Sequence, residues 1–266
     1  MAPVRIPDVD ALAGSVVSDT TIVMVPLGAT EQHGPHLPFE TDTLIADGVC
    51  DRLMAAFKAD EAGPDVRILP AEPVGYSPEH MDFPGSQTLA FNQAIERWID
   101  IGVACARHGV RRIVFMNAHG GNVPIVQIVC QELRVRHAML AVVTKWDRFV
   151  KGTGLVSERE EAFGIHGGDI ETSVMLALAS QSVDMSAAKD FPNLQEALVL
   201  DHTHLRAYGP HAFGWKMQDL NRLGVTGHAG HASAEKGEAL LTRAVDGLKA
   251  LLDDVERFDL TLLKLT

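Results

Sequence analysis

The sequence predicts an α/β fold with a mostly parallel central sheet covered by helices. Three observations predict it. Short apolar, β-branched runs at 21–27, 66–69, 112–116 and 139–144 alternate with longer stretches of helical periodicity. The first of these runs is apolar on both faces, as a strand covered by helices on each side must be. Finally, the segments that follow the runs are rich in glycine, proline and histidine, as loops at strand ends are.

Taken in order, the run 21–27 empties into a polar loop at 28–38. A helix follows over 42–57, where Leu44, Ile45, Val49, Leu53 and Met54 recur at helical spacing, with Thr41 or Thr43 near its cap. After the strand at 66–69, the stretch 70–85, containing Tyr76, His80 and Asp82, is too irregular for regular structure and reads as a functional or packing loop. A helix over 92–108 turns Ile95, Trp98, Ile99, Val103 and Cys105 inward, and Gly109 stands where a left-handed residue ends it. Beyond the strand at 112–116, Asn122 is the expected N-cap of a helix that takes Pro124 in its first turn and runs to about Val135. The strand at 139–144 completes that unit. Asp169 caps a helix reaching Ala179, and the last long helix runs from about Ser233 to about Arg257. Between Val183 and Gly227 periodicity is weak, and His202, His204, Tyr208, His211 and Trp215 cluster; this reads as an excursion over the surface or into a subunit contact. One domain spanning 1–266 is the simplest organisation.

Composition narrows the function. With 23 basic and 35 acidic side chains the formal charge is −12, which disfavours nucleic acid or an anionic membrane as partner. No membrane-spanning run and no secretory signal is visible, and Cys50, Cys105 and Cys130 lie far apart in apolar helical patterns, so a reducing cytoplasm is expected. Neither a dinucleotide fingerprint, a Walker-type loop nor a Gly-x-Ser-x-Gly elbow occurs.

Three loops carry the chemistry. In the first, Glu31 and His33 are two apart and point the same way in an extended chain, and Asp42 returns from the following helix start, so three metal-type ligands converge. In the second, His119 follows a strand and precedes a helix, where open α/β sheets bind ligands. Gly120 and Gly121 leave space for a substrate and offer backbone N–H groups to a developing negative charge. The competing reading of His119 is a turn cap. In the third, His166 on its Gly-Gly lead fits a proton shuttle, and Glu171, otherwise an ordinary first-turn acid, gains significance from that company. Tyr76, Trp146 and Trp215 are candidate walls of a substrate pocket. His228 and His231, three apart before the last helix, read as capping or subunit-packing residues rather than ligands.

The blocks Gly-Ala-Thr-Glu31-Gln-His33-Gly-Pro-His-Leu-Pro, Asp42, Asn-Ala-His119-Gly-Gly-Asn, His166-Gly-Gly-Asp-Ile-Glu171-Thr-Ser and Gly224-Val-Thr-Gly occur in that order. Together they resemble the creatininase family of metal-dependent amidohydrolases. The resemblance implies a three-layer α/β/α sandwich, a two-metal site of zinc, manganese or iron, and often a hexamer built from dimers. It makes Glu31, His33, Asp42 and His119 metal ligands with Asp42 bridging, Glu171 a further ligand or supporting acid, and His166 the proton shuttle. Creatininases carry a glutamate two positions after the histidine equivalent to His119. Gly121 stands there in this chain, so the resemblance leaves Glu171 to complete the ligand set and argues against creatinine itself as substrate.

The expected reaction is hydrolysis of a C–N amide bond, cyclic or linear, by a metal-activated water. Trimming of a small modified precursor peptide, removal of a formyl group, or lactone hydrolysis on the same site are the alternatives. A metal-holding regulatory or scaffold protein is the non-enzyme reading.

Overall fold

The computed structural model describes residues 3–60 and 63–263. In chain order the elements are β1 (Val4–Arg5), β2 (Ile22–Leu27), α1 (Thr41–Asp60), β3 (Val66–Ile68), α2 (Phe91–Arg107), β4 (Arg112–Asn117), α3 (Asn122–His137) and β5 (Leu140–Lys145). There follow α4 (Glu158–Phe163), α5 (Asp169–Ala179), β6 (Asp190–Phe191), α6 (Leu194–Asp201), α7 (Met217–Leu220), β7 (Gly227–His228) and α8 (Ala234–Arg257). Every pairing in the central sheet is parallel, and its order is β1-β3-β2-β4-β5.

Alternation along the strands builds the layers. Ile22 and Met24 of β2, with Val114 and Met116 of β4, enter a core shared with α1, α5 and α8. Their neighbours Val23, Val25, Ile113 and Phe115 face the opposite core, under α2 and α3. This is the three-layer α/β/α arrangement the sequence predicts. Among the described residues, no helix is long and apolar enough to cross a membrane.

The topology also selects a place for chemistry. From β2 the chain crosses by α1 to β3 on one side; from β4 it crosses by α3 to β5 on the other. The strand order therefore reverses between β2 and β4, and in open α/β sheets the crevice beyond the carboxyl ends of such a pair binds ligands. Leu27 and Asn117 are register partners at those two ends, so the loops holding Glu31 and His119 leave the sheet side by side.

Two expected caps are placed differently. Asn122 is the first helical residue of α3, and its side chain is buried and hydrogen-bonded to other loops. Gly168 holds the cap position of α5, while Asp169 is the first helical residue and pairs with Lys236 Nζ at 2.5 Å. Burying an amide or a carboxylate favours such specific partners over the helix's own free N–H groups. The excursion at 183–227 contains short elements, with β6 and β7 paired antiparallel. It leaves Leu200 85% exposed and Leu223 54% exposed.

The approach of α8 to α5 tests the packing. A Cβ on Gly237 would stand 1.9 Å from the Ser173 carbonyl oxygen, a backbone atom that cannot swing aside. Gly237→Ala is therefore expected to destabilise the protein by about 1–3 kcal/mol despite its better helix propensity, read as a lower urea midpoint.

Candidate metal centre

The five polar side chains singled out as metal-type ligands or proton shuttle in the three loops, Glu31, His33, Asp42, His119 and His166, are all buried, and Glu171 is largely so. Glu31 and His33 come from the loop after β2, and His119 from the loop after β4. His166 stands before α5. Asp42 and Glu171 lie in the first turns of α1 and α5, where the positive end of the helix dipole favours a carboxylate.

Asp42 presents its two oxygens to two different imidazoles. Oδ1 lies 3.2 Å from His33 Nε2, and Oδ2 lies 3.4 Å from His119 Nδ1. Glu31 Oε1 is 3.0 Å from the same His119 nitrogen and 3.6 Å from His166 Nδ1. Glu171 Oε2 faces His33 Nε2 at 3.9 Å, so it stands on the His33 side of the cluster rather than beside Gly121. Donor atoms of Glu31, Asp42 and His119 lie within 4.8 Å of one another, and so do those of His33, Asp42 and Glu171.

Each inward-facing imidazole is held from behind. His33 Nδ1 donates to the Glu31 carbonyl at 2.9 Å, His166 Nε2 to the Gln32 carbonyl at 2.7 Å, and His119 Nε2 to the Tyr76 carbonyl at 3.0 Å. Those bonds fix each ring's orientation and turn its opposite nitrogen toward the carboxylates, which is how metal-ligating histidines are oriented. Ser77 reinforces the arrangement, donating from Oγ to Glu31 Oε2 at 2.5 Å. Glu31 Oε1 and Asp42 Oδ2 are buried without a hydrogen-bond partner. Buried carboxylate oxygens left unpaired are costly, and a divalent cation is the partner that this donor set fits.

Electrostatics say the same in protons. Burial pulls the His33 imidazole down, but Asp42, Glu171 and Glu31 outweigh it and hold it at about 9. Burial likewise opposes charge on His119, which Glu31 and Asp42 nevertheless raise well above the ordinary range. His166 moves the other way, lowered by burial and by His33 and His80, so it stays a neutral imidazole. Glu171 is pushed up to about 7 by burial.

A chamber of about 110 Å³ beside these groups is lined by Glu31, Asp42, His119, Gly120, Lys145, Trp146, His166 and Glu171. It adjoins a groove of about 450 Å³ that shares Glu31, His119, Gly120, Lys145, Ile165 and His166, and adds Tyr76, Gly121, Pro124, Tyr208, Trp215 and Met217. Trp146 is both a chamber wall and almost fully buried. Tyr76 serves through its backbone as well, since its N–H donates to Asn122 Oδ1 at 2.9 Å while its carbonyl orients His119.

The structure brings in residues that sequence reasoning left unassigned. Ser77, Glu79 and His80 arrive from the irregular stretch after β3, which is laced to the β2 loop by the Gln87 N–H on the Thr30 carbonyl at 2.8 Å. His80 Nε2 stands 3.6 Å from Glu31 Oε1, and burial holds its pKa at about 4. Lys145 ends β5 within both cavities. The Ser-Pro-Glu-His run inside a proline- and glycine-rich loop was the available signal. His36 instead ties the β2 loop to α5, with Nε2 3.0 Å from the Gly167 carbonyl. His228 pairs with Asp190 at 3.1 Å, outside the cluster, and His202, His204 and His211 are exposed.

Residues 8–252 match the family described as Creatininase, creatinine amidohydrolase. The mycofactocin precursor peptide peptidase of Mycolicibacterium smegmatis is 32% identical over 227 residues, 85% of this chain and 82% of that protein. The creatinine amidohydrolase of Pseudomonas putida is 31% identical over 252 residues, 88% of this chain and 89% of that one. A solved manganese form of creatininase superposes with a TM-score of 0.70 at 27% identity, covering 94% of this chain and 95% of that chain.

Proton linkage gives the cluster a measurable signature in metal-free protein. A histidine raised from 6.5 to about 9 stabilises the fold below its unfolded value and loses that contribution as pH rises through about 9. Glu171, raised from 4.5 to about 7, loses stability as pH climbs from 4.5 to about 7 and keeps that cost above it. The urea midpoint in a chelator is therefore expected to fall from pH 6 to pH 9, more steeply than in His33→Gln.

Proposed function

The chain belongs to the creatininase family, and from that premise we propose that it is a hydrolase cutting the C–N bond of a short linear amide at a pair of divalent cations. The observation that carries the reading is Asp42, whose two oxygens face His33 and His119 separately. Glu31, Asp42 and His119 would hold one ion, and His33, Asp42 and Glu171 the other, with zinc or manganese suiting the mixed imidazole and carboxylate donors and iron a further candidate. When bound, such a pair lowers the pKa of a shared water and polarises the scissile carbonyl.

The protein's own groups supply the rest. His166 donates its Nε2 proton to the Gln32 carbonyl, so Nδ1 faces the chamber as an acceptor. It takes a proton from the attacking water and passes it to the leaving nitrogen. Gly120 and Gly121 form the chamber and groove wall next to His119, where their own backbone N–H groups, just ahead of α3, support negative charge on the carbonyl oxygen.

Substrate size follows from the cavities. A chamber of about 110 Å³ admits one amide and a small substituent, while the adjoining groove, walled by Tyr76, Tyr208, Trp215 and Met217, suits an extended apolar or aromatic flank. This favours a peptide end over a compact ring, and a mycofactocin precursor peptide peptidase is among the relatives. Cyclic amides, formamides and lactones are the competing substrates. Homo-oligomerisation, with a hexamer suggested by the family resemblance, is supported by the exposed leucines of the 183–227 excursion. A cytoplasmic location is supported by three free cysteines, two of them buried.

Elemental analysis of metal-replete protein should find two ions per chain, and a panel of short peptides, cyclic amides, formamides and lactones should show amide hydrolysis that a chelator abolishes and zinc or manganese restores. His166→Ala is expected to keep both ions while kcat falls by about 10²–10⁴-fold. Should fully loaded protein cut no amide, and His166→Ala and Glu171→Ala alter neither metal content nor any rate, the scaffold reading replaces this one.

Activity should also decline between pH 7 and pH 5, because protons compete with cations for His33 and His119. Equal rates at both values in metal-replete protein would contradict imidazole ligation.

A further inference from the structure

Lys145 carries a positive charge at the junction of chamber and groove that neither the cation site nor the proton shuttle uses. It is the last residue of β5 and the register partner of Asn117, which is itself paired with Leu27. It therefore stands in one row across the sheet with the strand ends whose loops carry Glu31 and His119. Among the residues that line both cavities, His119 turns a nitrogen to the carboxylates and His166 stays neutral, so the lasting positive charge is that of Lys145. Among the described residues no arginine lines either space, and Lys151 is exposed and lines the chamber alone.

The ammonium is held but not used up. Nζ donates to Asp147 Oδ2 at 3.0 Å, and among the described residues that is its one hydrogen bond. An ammonium has three N–H donors, so two remain for a ligand. The Lys145 side chain is 23% exposed, and its backbone belongs to the sheet rather than to a loop, so the charge is anchored where it stands. Asp147 lines the chamber and not the groove, so Lys145 meets the groove without its partner.

The shape of the two spaces says which part of a substrate reaches this charge. A chamber of about 110 Å³ holds one amide and a small substituent and leaves the rest of the molecule to the groove, so the bond cut lies near one end of the substrate chain. A peptide ends in an ammonium or in a carboxylate. Lys145 repels the first and offers two donors to the second, while Glu31, Asp42 and Glu171 face imidazoles as a cation-holding set.

We infer that Lys145 binds the terminal carboxylate of the substrate, and that the bond cut is the last amide before a free C-terminus, in a short peptide or an N-acyl amino acid. This rests on the hydrolase reading above and narrows its substrate class. Water adds across the C–N bond: its hydroxyl goes to the acyl carbon, its remaining proton to the departing nitrogen, and a free amino acid is released. Lys145 stays protonated throughout and acts on specificity alone.

The test offers one short peptide, as free acid and as C-terminal amide, to the metal-replete wild type, Lys145→Met and Lys145→Arg, with the released residue identified by mass. Charge-assisted hydrogen bonds are worth about 10–100-fold, so the wild type should cut the acid with a kcat/KM at least tenfold above that of the amide, chiefly through KM. Lys145→Met is expected to lose this preference with both ions still bound, and Lys145→Arg to keep it. Lys145→Gln carries the same test if the methionine variant does not fold. Binding is read separately by calorimetry in His166→Ala, where turnover is slow; adding Lys145→Met there should weaken the acid and leave the amide unchanged. Acid and amide treated alike by the wild type overturn the proposal. So do equal losses toward both in Lys145→Met, since Lys145 would then act through Glu171, whose carboxyl its charge lowers, or on the reacting carbonyl. Wild-type protein that cuts neither peptide but does cut a cyclic amide or a formamide overturns the proposal and leaves the hydrolase reading standing. Protein that cuts no amide at all overturns both.

Discussion

The structure is organised around carboxylates that the chain buries against imidazoles. Glu31 and Asp42 are almost completely removed from solvent, and each has an oxygen with no hydrogen-bond donor. Charges so placed are expensive in a low-dielectric interior unless compensated. Part of the compensation is architectural, because Asp42 and Glu171 occupy first turns of α1 and α5, whose dipoles favour negative charge. The remainder comes from imidazoles whose protons are drawn outward by backbone carbonyls. Those outward bonds turn the opposite ring nitrogens inward, and the loops that carry them are cross-laced and rooted at the strand ends.

The switch point between β2 and β4 makes that convergence possible. Neither loop alone builds a site: the β2 loop supplies Glu31 and His33, the β4 loop His119, and the two later helices supply acids from one face of the sheet. Asn122 closes the assembly, since its amide joins the Gly28 carbonyl, the Tyr76 N–H and the Asn117 side chain. A residue that reads locally as a helix cap is thus the clamp between three loops. Its tertiary partners outcompete the cap because they lie in the interior, where an unsatisfied amide would cost more.

This contrast shows what a sequence can carry. The β2–β5 strands and the five long helices α1, α2, α3, α5 and α8 were legible because their apolar periodicity extends over whole elements, and Glu31, His33, Asp42, His119, His166 and Glu171 because each lies within a compact block beside a strand or helix start. β1 was not legible, since two residues carry no period and become a strand only by pairing with Arg67 and Ile68. Ser77, Glu79 and His80 were hidden for a related reason. Their positions depend on long-range bonds from Thr30 to Gln87 and from Asn122 to Tyr76, and no local pattern encodes those contacts.

In the proposed reading the chamber serves the chemistry and the groove the choice of substrate. The chamber walls are the ionisable groups themselves, so changes there alter the centre, whereas the groove borrows Tyr208, Trp215 and Met217 from the weakly periodic excursion. That excursion has contacts of its own, such as Trp215 Nε1 donating to the Ala207 carbonyl at 2.8 Å, and is also tied to the body by Arg159 on Asp190 and Glu196, by the Asp184 N–H on the His36 carbonyl and by the Thr226 N–H on the His166 carbonyl. It therefore supports the loops that carry His36 and His166 as well as walling the groove.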